Sequence, residues 1–352
     1  MESELDYIEY RVALALWRWV SPCLLVLGGV GNILCIVILT NKRTRGSSTA
    51  VYLTSLAVAD LLVLYTGLLR QWVKFLFEID IRQLAEGICK VHLFFIYFAT
   101  HCSSWFLVAV TGERFISACF PHKVKMGCTQ RTAGMVITAI IICLAILNVH
   151  WIYGYGDLYV TEMNTTTLVK CETLFDPYRT FVLYIWPWID LCVFALVPCC
   201  LIIIGNIGII INVVKSKKRS ATKIAPMQAA KIQAGNKASH LTAMLLTINI
   251  VFVICAIPIC FYLIVGPIWY SNITSMKLLA EDDTFWAVTN MLMYTNHSTN
   301  FLMYCLSGTR FRGEVKALFT GHKTNKGLLT NVKTARVNPA NNTNSTMVES
   351  VA

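Results

Sequence analysis

Seven apolar runs, each long enough to cross a lipid bilayer, constrain this chain more than any other feature. They lie at residues 17–40, 48–69, 87–118, 133–153, 179–214, 238–265 and 284–305, with short polar loops between them. A helix needs about 20 mostly apolar residues to span the hydrocarbon layer. That layer holds no water to satisfy backbone N–H and C=O groups, so each run is predicted to be a helix that closes its own hydrogen bonds. The expected fold class is an all-α membrane protein, a seven-transmembrane helix bundle. Only 14% of the 352 residues are charged, too few for a soluble domain of this size. Residues 1–11 are acidic and polar, without the basic start and short apolar core of a cleaved leader, so the first helix is expected to serve as the insertion signal. The two halves show no internal repeat, which argues against many transporter folds.

The net charge of +11 is unevenly distributed. One set of loops and the segment after Cys305 hold 21 Lys or Arg against three acids, and the opposite loops hold nine against fourteen. The positive-inside rule then makes the basic side cytoplasmic and the N-terminus extracellular. The predicted division is an extracellular segment at 1–16, a seven-helix domain at 17–305 and a cytoplasmic segment at 306–352. A basic face on a soluble protein suggests nucleic acid. On this chain it reads as a rim beside anionic lipid, with no nucleic-acid partner.

Fourteen cysteines are present, yet only Cys89 and Cys171 fall on the oxidising side and away from spans. They make one expected disulfide, from the second outer loop to the top of the third helix; the alternative is two free thiols. The sequons at Asn164 and Asn272 fall in loops placed outside and are candidate glycosylation sites, whereas those at Asn296, Asn341 and Asn344 are expected to stay unmodified. Two features inside the membrane need partners. Asp60 stands halfway along the second run and Glu113-Arg114 closes the third. An ionisable group at such depth costs about 3 kcal/mol or more when unpaired, so by default it marks a working site.

With Asn32, Asp60, Cys89, Glu113-Arg114-Phe115, Pro198, Pro258 and Asn300-Phe301-Leu302-Met303-Tyr304 in this order and spacing, the chain resembles a rhodopsin-like (class A) G-protein-coupled receptor. The resemblance covers all seven helices. It implies that Arg114 closes against Glu113 at rest and meets a heterotrimeric G protein when active. Phe252, Pro258, Asn300 and Tyr304 match positions tied to that activation. It also implies a structural sodium ion at Asp60, Ser103, Asn296 and Asn300, with no other cofactor and no enzymatic activity. His297 stands in this region where a small hydroxyl is common; it either couples ion occupancy to pH or packs as a hydrogen-bonded histidine. The basic segment 307–319 resembles a short amphipathic eighth helix on the inner leaflet. The hydroxyl-rich tail at 320–352 is expected to be either an arrestin-recruiting segment or a solvated tail. Departures from the family pattern are Ala256 for a helix-six tryptophan, Phe301 for a proline, Asn206 for a tyrosine, and isoleucine near 140–142 for a tryptophan.

The resemblance also narrows the ligand. Ile96 replaces the aspartate of amine receptors, and Tyr294 replaces the retinal lysine of opsins. The outer pocket is expected to draw on Arg70, Gln71, Tyr97, Thr100, Trp186, Asp190, Tyr262, Trp286, Asn290 and Tyr294. Aromatic faces with one cation and one carboxylate suit a short peptide bearing an Arg or Lys side chain and a polar or amidated end. The alternative is that Arg70 and Asp190 pair with protein groups. The pieces PHKVKMGCT, LNVHW and NHSTNFLMYCLSGTRFR are similar to invertebrate neuropeptide receptors of the FMRFamide and myosuppressin kind. The expected function is a plasma-membrane receptor for a neuropeptide. The alternatives are a receptor for a lipid or other small molecule and, more distantly, a transporter or channel.

Overall fold

The computed structural model describes residues 6–320 apart from 43, 121, 123, 163–164, 222–228, 271–272 and 308. Five long helices follow in order: α1 (Ile8–Thr40), α2 (Ser48–Phe77), α3 (Glu86–Cys119), α4 (Gln130–Gly154) and α5 (Asp176–Lys215). They are succeeded by α6 (Ala229–Tyr270), α7 (Met276–Ser307) and α8 (Thr309–Thr320). The α3 helix is central, packed against α2, α4 and α5, while α7 lies between α6 and α1. Gly28 lets α1 approach α7 closely, since a Cβ there would lie 2.9 Å from the Ser298 Cα.

Six of these helices are long and apolar enough to cross a membrane by length and composition alone, and α7 is not among them. The reason is visible in its sequence: Asn290, Asn296, His297, Ser298 and Asn300 are all buried. A helix packed against α1, α2 and α6 meets protein groups rather than lipid on those faces, so the polar residues find partners there and stay within the bundle.

Three local features differ from the sequence reading. Helix α1 begins at Ile8, inside the 1–16 segment expected to precede the bundle. Its early turns are docked: Trp17 stacks on Phe75 at 5.3 Å, and the Arg18 Nε donates to the Phe75 carbonyl at 2.8 Å. Helical runs also contain π-turns at Leu16–Val20, Leu64–Leu68, Phe181–Ile185 and Leu191–Leu196. Each inserts one residue and rotates the side chains beyond it; in the last, the Val193 carbonyl accepts a hydrogen bond from Trp105 Nε1 at 3.0 Å. The second outer loop, given no secondary structure in the sequence reading, is a β-hairpin of β1 (Tyr155–Glu162) and β2 (Thr165–Thr173). Threonine and other β-branched residues populate both strands, as a ladder prefers.

The hairpin is tied down where the sequence places the covalent link. Cys171 in β2 is bonded to Cys89 in the first turn of α3, with Cα atoms 5.5 Å apart. Cys171 adopts φ 58° beside the bulge between Gly156 and Leu158, and its N–H donates to the Asp157 carboxylate at 3.2 Å. The candidate glycosylation residues Asn164 and Asn272, residues 222–228 of the basic loop at 215–237 and the tail from 321 lie outside the described residues.

Candidate functional site

The residues singled out by sequence fall at three levels of the bundle. At the inner end, Arg114 Nη2 lies 3.9 Å from Glu113 Oε2. Glu113 is 7% exposed and accepts two hydroxyls from the start of α2, one from Ser48 and one from Thr49 at 3.0 Å. The acid is therefore anchored to α2 as much as to its arginine, a pairing the sequence reading missed. Across from it, the Asn249 amide on α6 donates to Thr111 Oγ1 at 3.1 Å and to Asn206 Oδ1 at 3.0 Å. Asn206, which replaces the family's tyrosine, thus joins α3, α5 and α6 through a buried polar cluster. Phe252 packs edge-on to Phe194 at 6.3 Å. Tyr304 is 1% exposed and meets Phe311 of α8 at 5.4 Å. Pro258 lies within α6, where it has no N–H to offer the preceding turn.

At mid-membrane, Asp60 is fully buried. Its Oδ1 accepts from Ser103 Oγ at 2.7 Å and from His297 Nδ1 at 2.7 Å, and its Oδ2 accepts from Asn300 Nδ2 at 2.6 Å. Ser103 and Asn300 converge on the carboxylate as expected. Asn296 does not: it is buried on the same helix but is not among the hydrogen-bond partners of Asp60 in the described residues. Positions 296 and 297 stand four and three residues before Asn300, so helical spacing admits either of them to its face; the assembled bundle turns His297 to the carboxylate. The histidine, set apart in the sequence reading, takes the place assigned to Asn296.

The donor set does not suit the sodium ion that the resemblance implies. A hard cation is held by oxygen ligands, whereas here two nitrogen-bound hydrogens and one hydroxyl hydrogen already point at the Asp60 oxygens.

In the outer half, Asp190 on α5 is 5% exposed and its Oδ1 lies 2.8 Å from His101 Nε2 on α3. Asn148 fixes the tautomer of that ring. Its Nδ2 donates to the Leu144 carbonyl at 2.8 Å and to His101 Nδ1 at 3.0 Å. Nδ1 is then a bare acceptor, and the ring hydrogen is on Nε2, facing the carboxylate. A neutral ring orients Asp190 without cancelling its charge. Aromatic rings surround the pair: Tyr97 stacks on Trp151 at 4.4 Å and meets Trp186 edge-on at 5.6 Å. Neither His101 nor Asn148 was selected from the sequence; the one available signal was a polar residue on a run that is otherwise apolar.

Nearer the mouth, Tyr262 donates to Asp282 Oδ2 at 3.0 Å and lies 5.2 Å from Trp286. Thr100 and Asn290 hydrogen-bond to carbonyls of their own helices, those of Ile96 at 2.6 Å and Trp286 at 2.8 Å. Tyr294 is 3% exposed; a Cβ on Gly67 would lie 2.7 Å from its hydroxyl, so that glycine makes room for it.

Arg70 takes the alternative the sequence left open and pairs with a protein group. Its guanidinium grips Asp80 of the first outer loop with Nε to Oδ1 at 2.9 Å and Nη2 to Oδ2 at 2.5 Å. Arg82 Nη2 reaches the same carboxylate at 3.2 Å. Burial by itself would push the pKa of Asp80 up, but hydrogen bonds from Arg70 and Arg82 outweigh it and hold the carboxyl well below the usual carboxylate range. Two arginines share one acid, so Arg70 braces the loop rather than standing open for a ligand.

A helical membrane bundle with a charged Glu-Arg pair at one end, a buried aspartate midway and an enclosed outer carboxylate defines a seven-transmembrane receptor. The chain belongs to the rhodopsin family of seven-transmembrane receptors: the family model matches residues 31–304. It is similar to a probable G-protein coupled receptor of Caenorhabditis elegans, 26% identical across 87% of this chain and 70% of that protein. It is also similar to the thyrotropin-releasing hormone receptor of Gallus gallus, 25% identical across 84% of this chain and 76% of that receptor. A third relative is sex peptide receptor-related protein 2 of Caenorhabditis elegans, 23% identical across 84% of this chain and 70% of that protein. The chain is therefore a multi-pass membrane protein of a receptor family rather than of an enzyme family.

Proposed function

We propose that this protein is a plasma-membrane receptor, N-terminus outside, for a short extracellular peptide carrying an Arg or Lys side chain. It activates heterotrimeric G proteins. The observation that carries this reading is Asp190: an enclosed carboxylate, oriented by a neutral imidazole and ringed by aromatic faces, recognises a cation on a flexible arm. Ile96 withholds the carboxylate that a small amine would use, and relatives named for thyrotropin-releasing hormone and sex peptide reception favour a peptide. The FMRFamide and myosuppressin likeness of three short segments points the same way.

Ligand binding favours a state in which α6 moves away from α3, which requires the Asn249 contacts to Thr111 and Asn206 to part. The crevice beside Arg114 then admits the G protein. A shift from 1:99 to 99:1 takes about 5.5 kcal/mol of differential affinity between the two states. The basic loop at 215–237 attracts the inner leaflet and the G protein, α8 lies along that leaflet, and tail hydroxyls are the place for arrestin recruitment after phosphorylation. The test is a peptide library screened against the expressed protein by G-protein nucleotide exchange. Arginine- or lysine-containing hits that lose potency in Asp190→Asn support the reading, and activation by lipids or amines alone refutes it.

A further inference from the structure

The partners of Asp60 differ in kind from those a cation needs. Each of the three aims a hydrogen at the carboxylate: the Ser103 hydroxyl and the His297 imidazole at Oδ1, both at 2.7 Å, and the Asn300 amide at Oδ2, at 2.6 Å. A sodium ion against either oxygen would face the positive ends of these dipoles. The serine alone can turn an oxygen lone pair toward an ion while keeping its place. The imidazole has no oxygen to offer. Turning the Asn300 amide would set carbonyl against carboxylate unless an ion already stood between them.

The ring is also held where it is. His297 is 0% exposed, and its backbone carbonyl accepts from Asn32 Nδ2 on α1 at 3.0 Å. Its Nδ1 lies 3.4 Å from Ser103 Oγ as well, so the ring edge fills the space between α2 and α3 next to the carboxylate. Nε2 has no hydrogen-bond partner among the described residues, which leaves the Nδ1 contacts, the shorter one to Asp60 and the longer one to Ser103, to set the ring's position. The remaining oxygen donor of the expected set, Asn296, does not reach the carboxylate.

We infer that the imidazole of His297 takes the place a sodium ion would hold against Asp60. The core of this receptor is therefore closed to monovalent cations, and a small hydroxyl residue at position 297 opens it to them. The inference stands on the Asp60 site alone and is independent of which ligand binds above it.

The probe is sodium chloride against choline chloride at equal ionic strength, and the readout is thermal unfolding of the purified full-length protein in lipid nanodiscs. The wild type unfolds at the same temperature in both salts. His297→Ser leaves room beside Asp60 and Ser103, and its midpoint rises in sodium by a few degrees, the scale expected for an ion at about ten times its dissociation constant. Adding Asp60→Asn to that variant removes the rise. A wild type that unfolds at a higher temperature in sodium than in choline, or a His297→Ser protein indifferent to sodium, overturns the inference. The wild-type comparison needs no substitution, so it decides the matter even where a variant fails to fold.

Discussion

Replacing Asp80 by asparagine separates the two roles open to Arg70, ligand anchor or loop brace. The native carboxylate takes two hydrogen bonds from Arg70, at 2.9 and 2.5 Å, and one from Arg82 Nη2 at 3.2 Å. The Arg70 and Asp80 side chains are each 9% exposed, so solvent screens the pair little. Removing one member of a buried ion pair costs about 3–5 kcal/mol, because the partner's charge is left without a counter-charge. Arg82, at 28% side-chain exposure, turns to solvent and recovers part of that, so the expected loss is about 3 kcal/mol. For a chain of 352 residues, an unfolding entropy of about 2.1 cal/mol/K per residue turns that loss into a fall in the midpoint of roughly 4 °C. The assay is tryptophan fluorescence on heating in lipid nanodiscs, run as a cycle with Arg70→Ala and the double variant. A brace predicts strong coupling, with the double variant falling short of the summed single losses by about 1–3 kcal/mol. Additive losses, or an Asp80→Asn protein as stable as the wild type, would refute the reasoning. The sign with pH follows from the lowered pKa of Asp80 in the folded protein. Its contribution is complete above the ordinary aspartate value near ~4 and is lost as pH falls from there toward the native value.

Arg114→Ala is expected to abolish ligand-stimulated nucleotide exchange while ligand binding survives, and normal coupling in that variant would remove Arg114 from its role. Asp190→Asn keeps a carbonyl for His101 but loses the charge, so the potency of an arginine-containing peptide should fall about tenfold, or about 1.4 kcal/mol; unchanged potency makes Asp190 structural. Cys171→Ser frees the hairpin from α3 across a sequence separation of 82 residues. Chain entropy alone puts that loss at up to about 4.5 kcal/mol, read as lower surface expression and a lower unfolding midpoint, and an unaltered midpoint would show the bridge to be dispensable.

What could be read along the chain were the properties that depend on one segment at a time. Runs of about twenty apolar residues locate the spans because bilayer thickness sets their length, and α3 at Glu86–Cys119 lies within a residue of the expected ends. The Cys89–Cys171 link was legible because the charge pattern places only two cysteines clear of the spans on the side it assigns to the exterior. What only the tertiary structure decided was which polar groups meet. Asp190 and His101 are 89 residues apart, and Asp60 and His297 are 237 apart. Hydrophobic periodicity says that such groups are inside but not which face of which helix they turn to. A one-residue difference in facing substitutes His297 for Asn296, and a loop carboxylate at Asp80 claims an arginine that helical spacing assigns to the pocket. Inside a bundle that excludes water, each polar group takes the partner that packing brings within about 3 Å, and that choice is made by the assembled helices together.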